Sequence, residues 1–411
     1  MSVLLWLIPI ALSFVGGIFL VNYLTVHPLE MSGQLLLTAV AAFVVMAVLA
    51  WKFRGKRLVA VVVLSLIAFA VGYSLRTNTV LAREEDPQSL PPITRARDDP
   101  GDGHTAVIYL THGEPPTYNP IGWLNQFREF DEQGIPFVPV FVRPFFLYQL
   151  RNKYLAVGQS HHRMMHQRML ADLEKAMKQA GHQNLKYYLA FLDDDPGAEA
   201  ATIQALNDGA STIVVAEVFV SISNHTAEGE EQIESVRPEN YGVEVRFTGP
   251  LWDSATMHRV FVEKANAAID DTDKSKVGVI LVGHGQPDEW DKEFPTETAH
   301  ELKFRESALA LLAADGYKPE NMGLAWMEFK QPHPKEKVEE LLRNGVEKII
   351  YFSAAISADS IHSQSDVPEL IHEAAIPAGM EAINLGAWND HPLVIQAIQE
   401  KIEPLLPTAA R

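Results

Sequence analysis

Residues 3–24, 35–51 and 58–75 are three apolar segments in close succession, and they restrict the start of this chain more than any other feature. Each is long enough to cross a hydrocarbon core near 30 Å thick as a helix. In a bilayer no water is at hand for the peptide groups, so a spanning segment of this kind must satisfy them within its own helix. A cleaved signal peptide followed by a buried hairpin fits less well: the first segment lacks a basic start, and two further long apolar runs follow it. Residues 1–80 hold one acid, Glu30, against Lys52, Arg54, Lys56, Arg57 and Arg76. Four of those five cations sit in the link between the second and third segments, which the positive-inside tendency assigns to the cytoplasm. Three crossings then deliver the rest of the chain to the far side, the periplasm of a Gram-negative cell. The expectation is a multi-pass anchor, residues 1–75, in the bacterial inner membrane, with the bilayer as its partner.

Beyond the anchor the balance reverses. Of 34 basic and 52 acidic residues in the chain, residues 81–411 keep enough acid for a formal charge of −22. Such a surface repels phosphate backbones, and no basic aromatic patch offsets it, so nucleic acid is excluded as a partner. The chain has no cysteine. Disulfides, thiolate metal sites and cysteine nucleophiles are therefore excluded too. Residues 76–103 are rich in charge and proline and read as a flexible linker.

From residue 104 onward, strand-like and helix-like segments alternate. Strands are expected at 106–110, 136–142, 187–191, 212–219, 243–247, 277–282, 323–327 and 348–353. Amphipathic helices are expected at 164–180, 198–208, 257–269, 301–314 and 334–344. This order predicts an α/β fold, a doubly wound parallel sheet with helices on both faces. It also looks duplicated. AVIYLTHGEP at 106–115 echoes VGVILVGHGQP at 277–287, so His112-Gly113-x-Pro115 matches His284-Gly285-x-Pro287. Pro196, Leu206, Gly209 and Ile213 match Pro332, Leu342, Gly345 and Ile349 without a gap. A polar loop with a histidine then follows in each half, Ser223-Asn224-His225-Thr226 and Ser360-Ile361-His362-Ser363. The halves are drawn at 104–270 and 271–411, the first lengthened by an insertion around 123–166.

His284 follows a buried strand and His362 follows another, so both belong at the carboxyl edge of the sheet, where α/β folds bind ligands. Two neutral imidazoles suit a borderline divalent cation such as Fe2+, Co2+, Ni2+ or Zn2+. Two are too few to close a structural site, which leaves positions open for a substrate. The plainer alternative is a pair of hydrogen-bonded loop histidines. Asp359 and Asp366 flank His362 and could orient it or receive protons. His161, His162 and His166 lie at a helix start; His162 and His166 share a face at i, i+4 that could bind metal, but no glutamate completes a zinc-hydrolase pattern, and the three read first as a solvated face. Glu230 and Glu231 could pass protons but also suit a helix N-terminus. Trp326 ends a strand as core or pocket wall, and Glu328 could reach the crevice. No Walker loop, dinucleotide fingerprint or Gly-x-Ser-x-Gly elbow is present.

With these motifs in view, residues 105–405 resemble the chelatase superfamily of ferrochelatases and sirohydrochlorin cobalt- and iron-chelatases. LVGHGQP is similar to the ferrochelatase strand that ends in the catalytic histidine, and to the "GHGS" opening of the small cobalt chelatases. The His362 loop with Asp366-Val367-Pro368 is similar to their "GxH…DIP" motif. Residues 324–356 follow the family's strand, helix, glycine, strand order, and 154–167 and 207–231 run like its matching segments. There are departures. Ferrochelatases usually carry glutamate where His362 aligns and glycine where His112 does, and their "STTGS"-like loop is altered here to Asn224-His225-Thr226-Ala227-Glu228.

The resemblance implies insertion of a divalent metal, Fe2+ or Co2+, into a tetrapyrrole such as sirohydrochlorin or a porphyrin. His284 and His362 are then the catalytic residues and metal ligands. His112, His225, Trp326 and Glu328 fall at the substrate, with Phe352 as a further apolar wall. The metal is a substrate, and no permanently bound cofactor is implied. The alternative is a membrane-tethered protein that binds or carries a tetrapyrrole or metal without catalysis. Oligomeric state is not legible in the sequence.

Overall fold

The structure is a computed structural model that describes residues 3–26, 30–83, 89–135, 137–192 and 194–407. The chain divides into two compact units, Met1–Gln88 with Thr117–Gln159, and Ser89–Pro116 with Ser160–Arg411.

The first unit holds α1 (Val3–Thr25), α2 (Met31–Lys52) and α3 (Gly55–Leu81), then α4 (Ile121–Glu132) and α5 (Arg143–Val157) from the insertion. All three N-terminal helices are long and apolar enough to cross a membrane. α3 extends six residues past the apolar segment, and there Arg76 Nε donates to Asn22 Oδ1 at 2.6 Å. Gly17 and Gly72 allow α1 and α3 to touch, since a Cβ on Gly72 would stand 2.1 Å from the Phe14 carbonyl oxygen. The strand expected at 136–142 is not formed among the described residues, which make a turn into α5. Phe137 is apolar for another reason: it packs in an aromatic nest with Trp123, Phe130 and Phe146.

The second unit contains two four-stranded parallel sheets. β1 (Thr105–Thr111), β2 (Leu185–Phe191), β3 (Thr212–Glu217) and β4 (Glu244–Phe247) form one, in the order β2-β1-β3-β4. β5 (Val277–Gly283), β6 (Met322–Trp326), β7 (Lys348–Ser353) and β8 (Glu381–Asn384) form the other, in the equivalent order β6-β5-β7-β8. The duplication reaches single hydrogen bonds. Phe191 N–H donates to the Pro196 carbonyl and Trp326 N–H to the Pro332 carbonyl, each at 2.9 Å.

The helices are α6 (His162–Gln179), α7 (Ala198–Asn207), α8 (Asn224–Ser235), α9 (Ala255–Ala268), α10 (Trp290–Glu293), α11 (Pro295–Ala314), α12 (Pro334–Arg343), α13 (Val367–His372) and α14 (Pro392–Ile402). Every residue of β1, β3, β5 and β7 is buried, as a parallel sheet covered on both faces requires. Strand alternation then sorts the side chains. Val107, Tyr109, Val279 and Leu281 join residues of α6, α9, α11 and α14 in one core shared by both halves. Ala106, Ile108 and Leu110 face α7 and α8 instead, while Ile280 and Val282 face α12 and α13. Two sheets thus sandwich a common helical layer, with their carboxyl edges free to carry loops.

Within the stretch expected as a linker, residues 89–102 pack on the end of α7. Arg95 is buried with Nη1 donating to the Ala210 carbonyl, and Asp102 N–H donates to Gly209.

Candidate active site

The β5 loop is shaped by what lies behind it. Glu301 of α11, buried, accepts the His284 N–H through Oε1 at 3.1 Å. Arg305, one turn on and fully buried, pairs with Glu301 at 3.3 Å and donates to the carbonyls of Leu281 and Ala325. Its guanidinium lies 4.0 Å from the Trp326 ring centroid. A Cβ on Gly283 would meet Glu301 Oε1 at 1.9 Å, so only glycine lets the carboxylate reach the loop. Gly285 has φ +83°, and a Cβ there would fall 2.2 Å from the Glu328 carbonyl oxygen. Both glycines around His284 are therefore dictated by space. Glu328 N–H in turn donates to the His284 carbonyl at 3.0 Å, which ties the β6 end to the β5 end.

The second histidine is set by a loop after β7. Ser360 N–H donates to Ser363 Oγ, which donates back to the Ser360 carbonyl. The same exchange links Ser223 and Thr226 in the first half, where it caps α8. In the second half the chain continues as one wide π turn, His362–Asp366, before α13. The wide turn brings Asp366 Oδ2 to 2.6 Å from His362 Nδ1. Asp359 has another job. Its carboxylate accepts from Ala387 N–H and Asn389 Nδ2 and shares the Ser363 hydroxyl hydrogen with the Ser360 carbonyl, so it fastens the loop instead of orienting the imidazole.

The structure brings His284 and His362 together, with ring centroids 5.4 Å apart and planes at 75°. Their hydrogen bonds define the tautomers. His284 Nδ1 lies 2.7 Å from the Gly285 carbonyl, which can only accept, so Nδ1 carries the hydrogen. Asp366 imposes the same choice on His362. Whenever either ring is neutral, its lone pair therefore sits on Nε2.

Their charges are opposed. Burial, then His362 and His112, push the His284 value below that of an ordinary imidazole, against the pull of Glu328. Burial also disfavours a charged His362, but the Asp366 hydrogen bond and the charges of Asp366, Glu328 and Glu114 outweigh it and raise the value to about 9. At neutral pH one ring is a free base and its neighbour a cation.

Glu114 was not singled out in the sequence. It is the variable residue of the first His-Gly-x-Pro, and its Oε1 accepts the Ile361 N–H at 3.0 Å, next to His362. Burial raises its value, opposed by Ser160, His362 and the Ile361 N–H. His112 and His225 also meet, with centroids 4.4 Å apart, and Trp290 of α10 lies 6.2 Å from His225. Trp290 stands three residues after Pro287 of the second His-Gly-x-Pro, and its residue type alone does not mark it as part of the site.

Two expectations are corrected. His162 and His166 do not lie on a solvated face: both are buried, with centroids 4.5 Å apart. His166 is satisfied by Tyr109, Thr111 and Ser357, whereas His162 Nδ1 has no hydrogen-bond partner among the described residues. α6 turns this face inward because its other buried positions are Met165, Met169, Leu173 and Met177. Phe352 is core, 1% exposed and edge-on to Phe261, because strand alternation points it into the shared layer. Glu230 faces Glu217, itself raised to about 7 by burial and then by the Glu230 charge. Trp326 is 4% exposed and stands behind the loop under Arg305. Among the described residues, no group of three or more histidine, aspartate or glutamate side chains is arranged to hold an ion.

Comparison with solved structures finds the sirohydrochlorin chelatase SirB of Bacillus subtilis twice. With Fe3+ it is 14% identical at a TM-score of 0.46, covering 73% of this chain and 94% of that one. From subspecies spizizenii in complex with cobalt it is 12% identical at 0.43, covering 73% and 94%. A multi-domain protein of Deinococcus radiodurans with structural similarity to chelatases is 14% identical at 0.46, covering 74% and 56%. No curated protein sequence matches. The ferrochelatase family model matches residues 104–405, from the strand before His112 to the end of the last helix, and this chain belongs to that family.

Proposed function

We propose that the chain is a membrane-anchored chelatase that inserts Fe2+ or Co2+ into a tetrapyrrole, sirohydrochlorin or a porphyrin. His284 and His362 serve as metal ligands and proton acceptors. The observation that carries this reading is the 5.4 Å ring pair in which each Nδ1 is committed to an acceptor, so that each Nε2 holds the lone pair whenever its ring is neutral. Family membership supports the reaction class.

Metallation of the macrocycle releases two pyrrole protons while the ion sheds water. His284, uncharged at neutral pH, takes the first proton or holds the incoming ion through Nε2. His362 starts as a cation, so it becomes a ligand only after its own proton leaves. An approaching dication repels that proton onto the carboxylates around it, Asp366, Glu328 and Glu114, and the freed Nε2 then takes the second pyrrole proton or holds the ion. His112, His225 and Glu328 border the macrocycle, with Trp326 backing the loop that carries His284. The ion is cargo, and no resident prosthetic group has a step in this scheme.

The test uses the full chain in lipid nanodiscs, assayed for insertion of Fe2+ and Co2+ into a porphyrin and into sirohydrochlorin. His284→Ala is expected to abolish insertion and to retain macrocycle binding. Macrocycle binding by the unaltered chain without turnover, across both metals and both macrocycles, would replace the enzyme with a carrier.

A further inference from the structure

Of the exposed apolar patches outside the site, one lies on the insertion, and the first unit's own geometry gives its depth. α1 and α3 run in the same direction: Phe14 touches Gly72, Gly17 touches Tyr73, and Asn22 bonds Arg76. The insertion is fixed to this pair. Arg151 of α5, fully buried, donates to the Tyr23 and Val26 carbonyls, and Tyr118 Oη donates to the Thr25 carbonyl. Tyr73 Oη donates to the Phe141 carbonyl at 2.7 Å, and the Tyr73 ring stacks on Phe145 with centroids 6.4 Å apart.

The level of Tyr73 follows from helix geometry. If the basic residues Lys52–Arg57 mark one headgroup layer, a hydrocarbon core of about 30 Å spans about 20 residues at 1.5 Å each. Counting from Leu58, it ends near Thr77, so Tyr73 lies within roughly 6 Å of the far edge. That is the level at which tyrosine is enriched in spanning proteins. Beside it, Val140, Phe141 and Phe145 are 44%, 68% and 45% exposed. A cluster of bare aromatic and branched side chains at this height is costly in water and suited to the headgroup–acyl boundary.

We propose that the insertion is a membrane-interfacial element whose ridge, Val140, Phe141 and Phe145, is immersed in the bilayer at the headgroup–acyl boundary. The occupant of this patch is lipid. The inference rests on the reading that residues 1–75 span the membrane, and the experiment separates the two.

The cysteine-free chain permits single labels. Phe141→Cys, Phe145→Cys and Val140→Cys are each labelled with an environment-sensitive fluorophore in the full chain, in nanodiscs containing or lacking spin-labelled lipid. Phe43→Cys on α2, 73% exposed, reports the span, and Lys175→Cys on α6 reports water. The ridge labels are expected to emit to the blue of Lys175→Cys, to lose emission to spin-labelled lipid as Phe43→Cys does, and to resist aqueous iodide. Quenching of the ridge by iodide, with Phe43→Cys still lipid-quenched, would overturn the proposal and leave the spans intact. Shielding from both quenchers would assign the ridge to a protein contact and also overturn it. Iodide quenching at Phe43→Cys would remove the spanning reading and the proposal with it.

Discussion

Nδ1 of His362 lies 2.6 Å from the Asp366 carboxylate, four residues along a single π turn. An α turn also places i and i+4 side by side, but here the wider turn sits directly after the hydroxyl exchange of Ser360 and Ser363. The imidazole is thus held at both ends of its loop. The Asp366 bond fixes the orientation of the ring and, with the charges of Asp366, Glu328 and Glu114, holds it as a cation, while burial leaves His284, bonded only to a neutral carbonyl, with a lower proton affinity.

Metal binding through His362 must displace that proton. Below about pH 9, binding that needs its Nε2 should weaken about tenfold per pH unit, and it should plateau above that value. Asp366→Asn removes both the charge and the charged acceptor, so burial dominates and the inflection moves to lower pH. Co2+ binding followed spectroscopically from pH 6 to 10 in both proteins reads this directly. An unmoved inflection would show that Asp366 does not hold the proton.

Gly285→Ala places a methyl group 2.2 Å from the Glu328 carbonyl oxygen at a φ that alanine resists. The left-handed backbone alone costs on the order of 1–3 kcal/mol, and the β6 loop must also move. Expected outcomes are a lower thermal midpoint and a loss of insertion activity larger than the loss of macrocycle binding, because Glu328 and the His284 carbonyl are displaced together. Activity equal to that of the unaltered chain would mean that the loop carries no positioning role.

The basic link between α2 and α3 predicts the side on which the second unit resides. A reporter active only in the periplasm, fused after Arg411, should be active, and one active only in the cytoplasm should be silent. The reverse pattern would place the second unit in the cytoplasm.

Much of this arrangement was legible in the sequence because strands buried on both faces read as unbroken apolar runs. β1, β5 and β7 were found to within a residue or two, and the His-Gly-x-Pro echo marked both strand ends. The sequence was misleading where apolarity came from elsewhere. At Phe137 an aromatic nest looked like a strand, and β8 was missed because a four-residue, half-exposed edge strand has almost no pattern. The site was half legible. His284 and His362 follow strands and can be placed by topology, whereas Glu114 meets Ile361 from 247 residues away, a contact that only folding creates. His162 and His166 were misread because histidine is polar by type, while α6 buries that face among methionines.

His162 gives the last prediction. Burial, then His112 and His362, lower its value to about 3, far below the ordinary 6.5 of an unfolded chain. Between those limits the unfolded state binds a proton that the folded state refuses, so stability falls as pH drops through that window. The slope is about 1.4 kcal/mol per pH unit for one proton. His166, lowered by burial and by His162 and His112, adds to it in the same direction. His162→Asn keeps a polar side chain but cannot titrate. It is expected to have a lower thermal midpoint at pH 7 and a shallower decline from pH 7 to pH 5 than the unaltered full chain. The two slopes, rather than the two midpoints, carry the test, because the substitution also leaves a small cavity. Parallel slopes would mean that His162 already binds its proton in the folded protein, and the buried neutral ring beside the crevice would have to be abandoned.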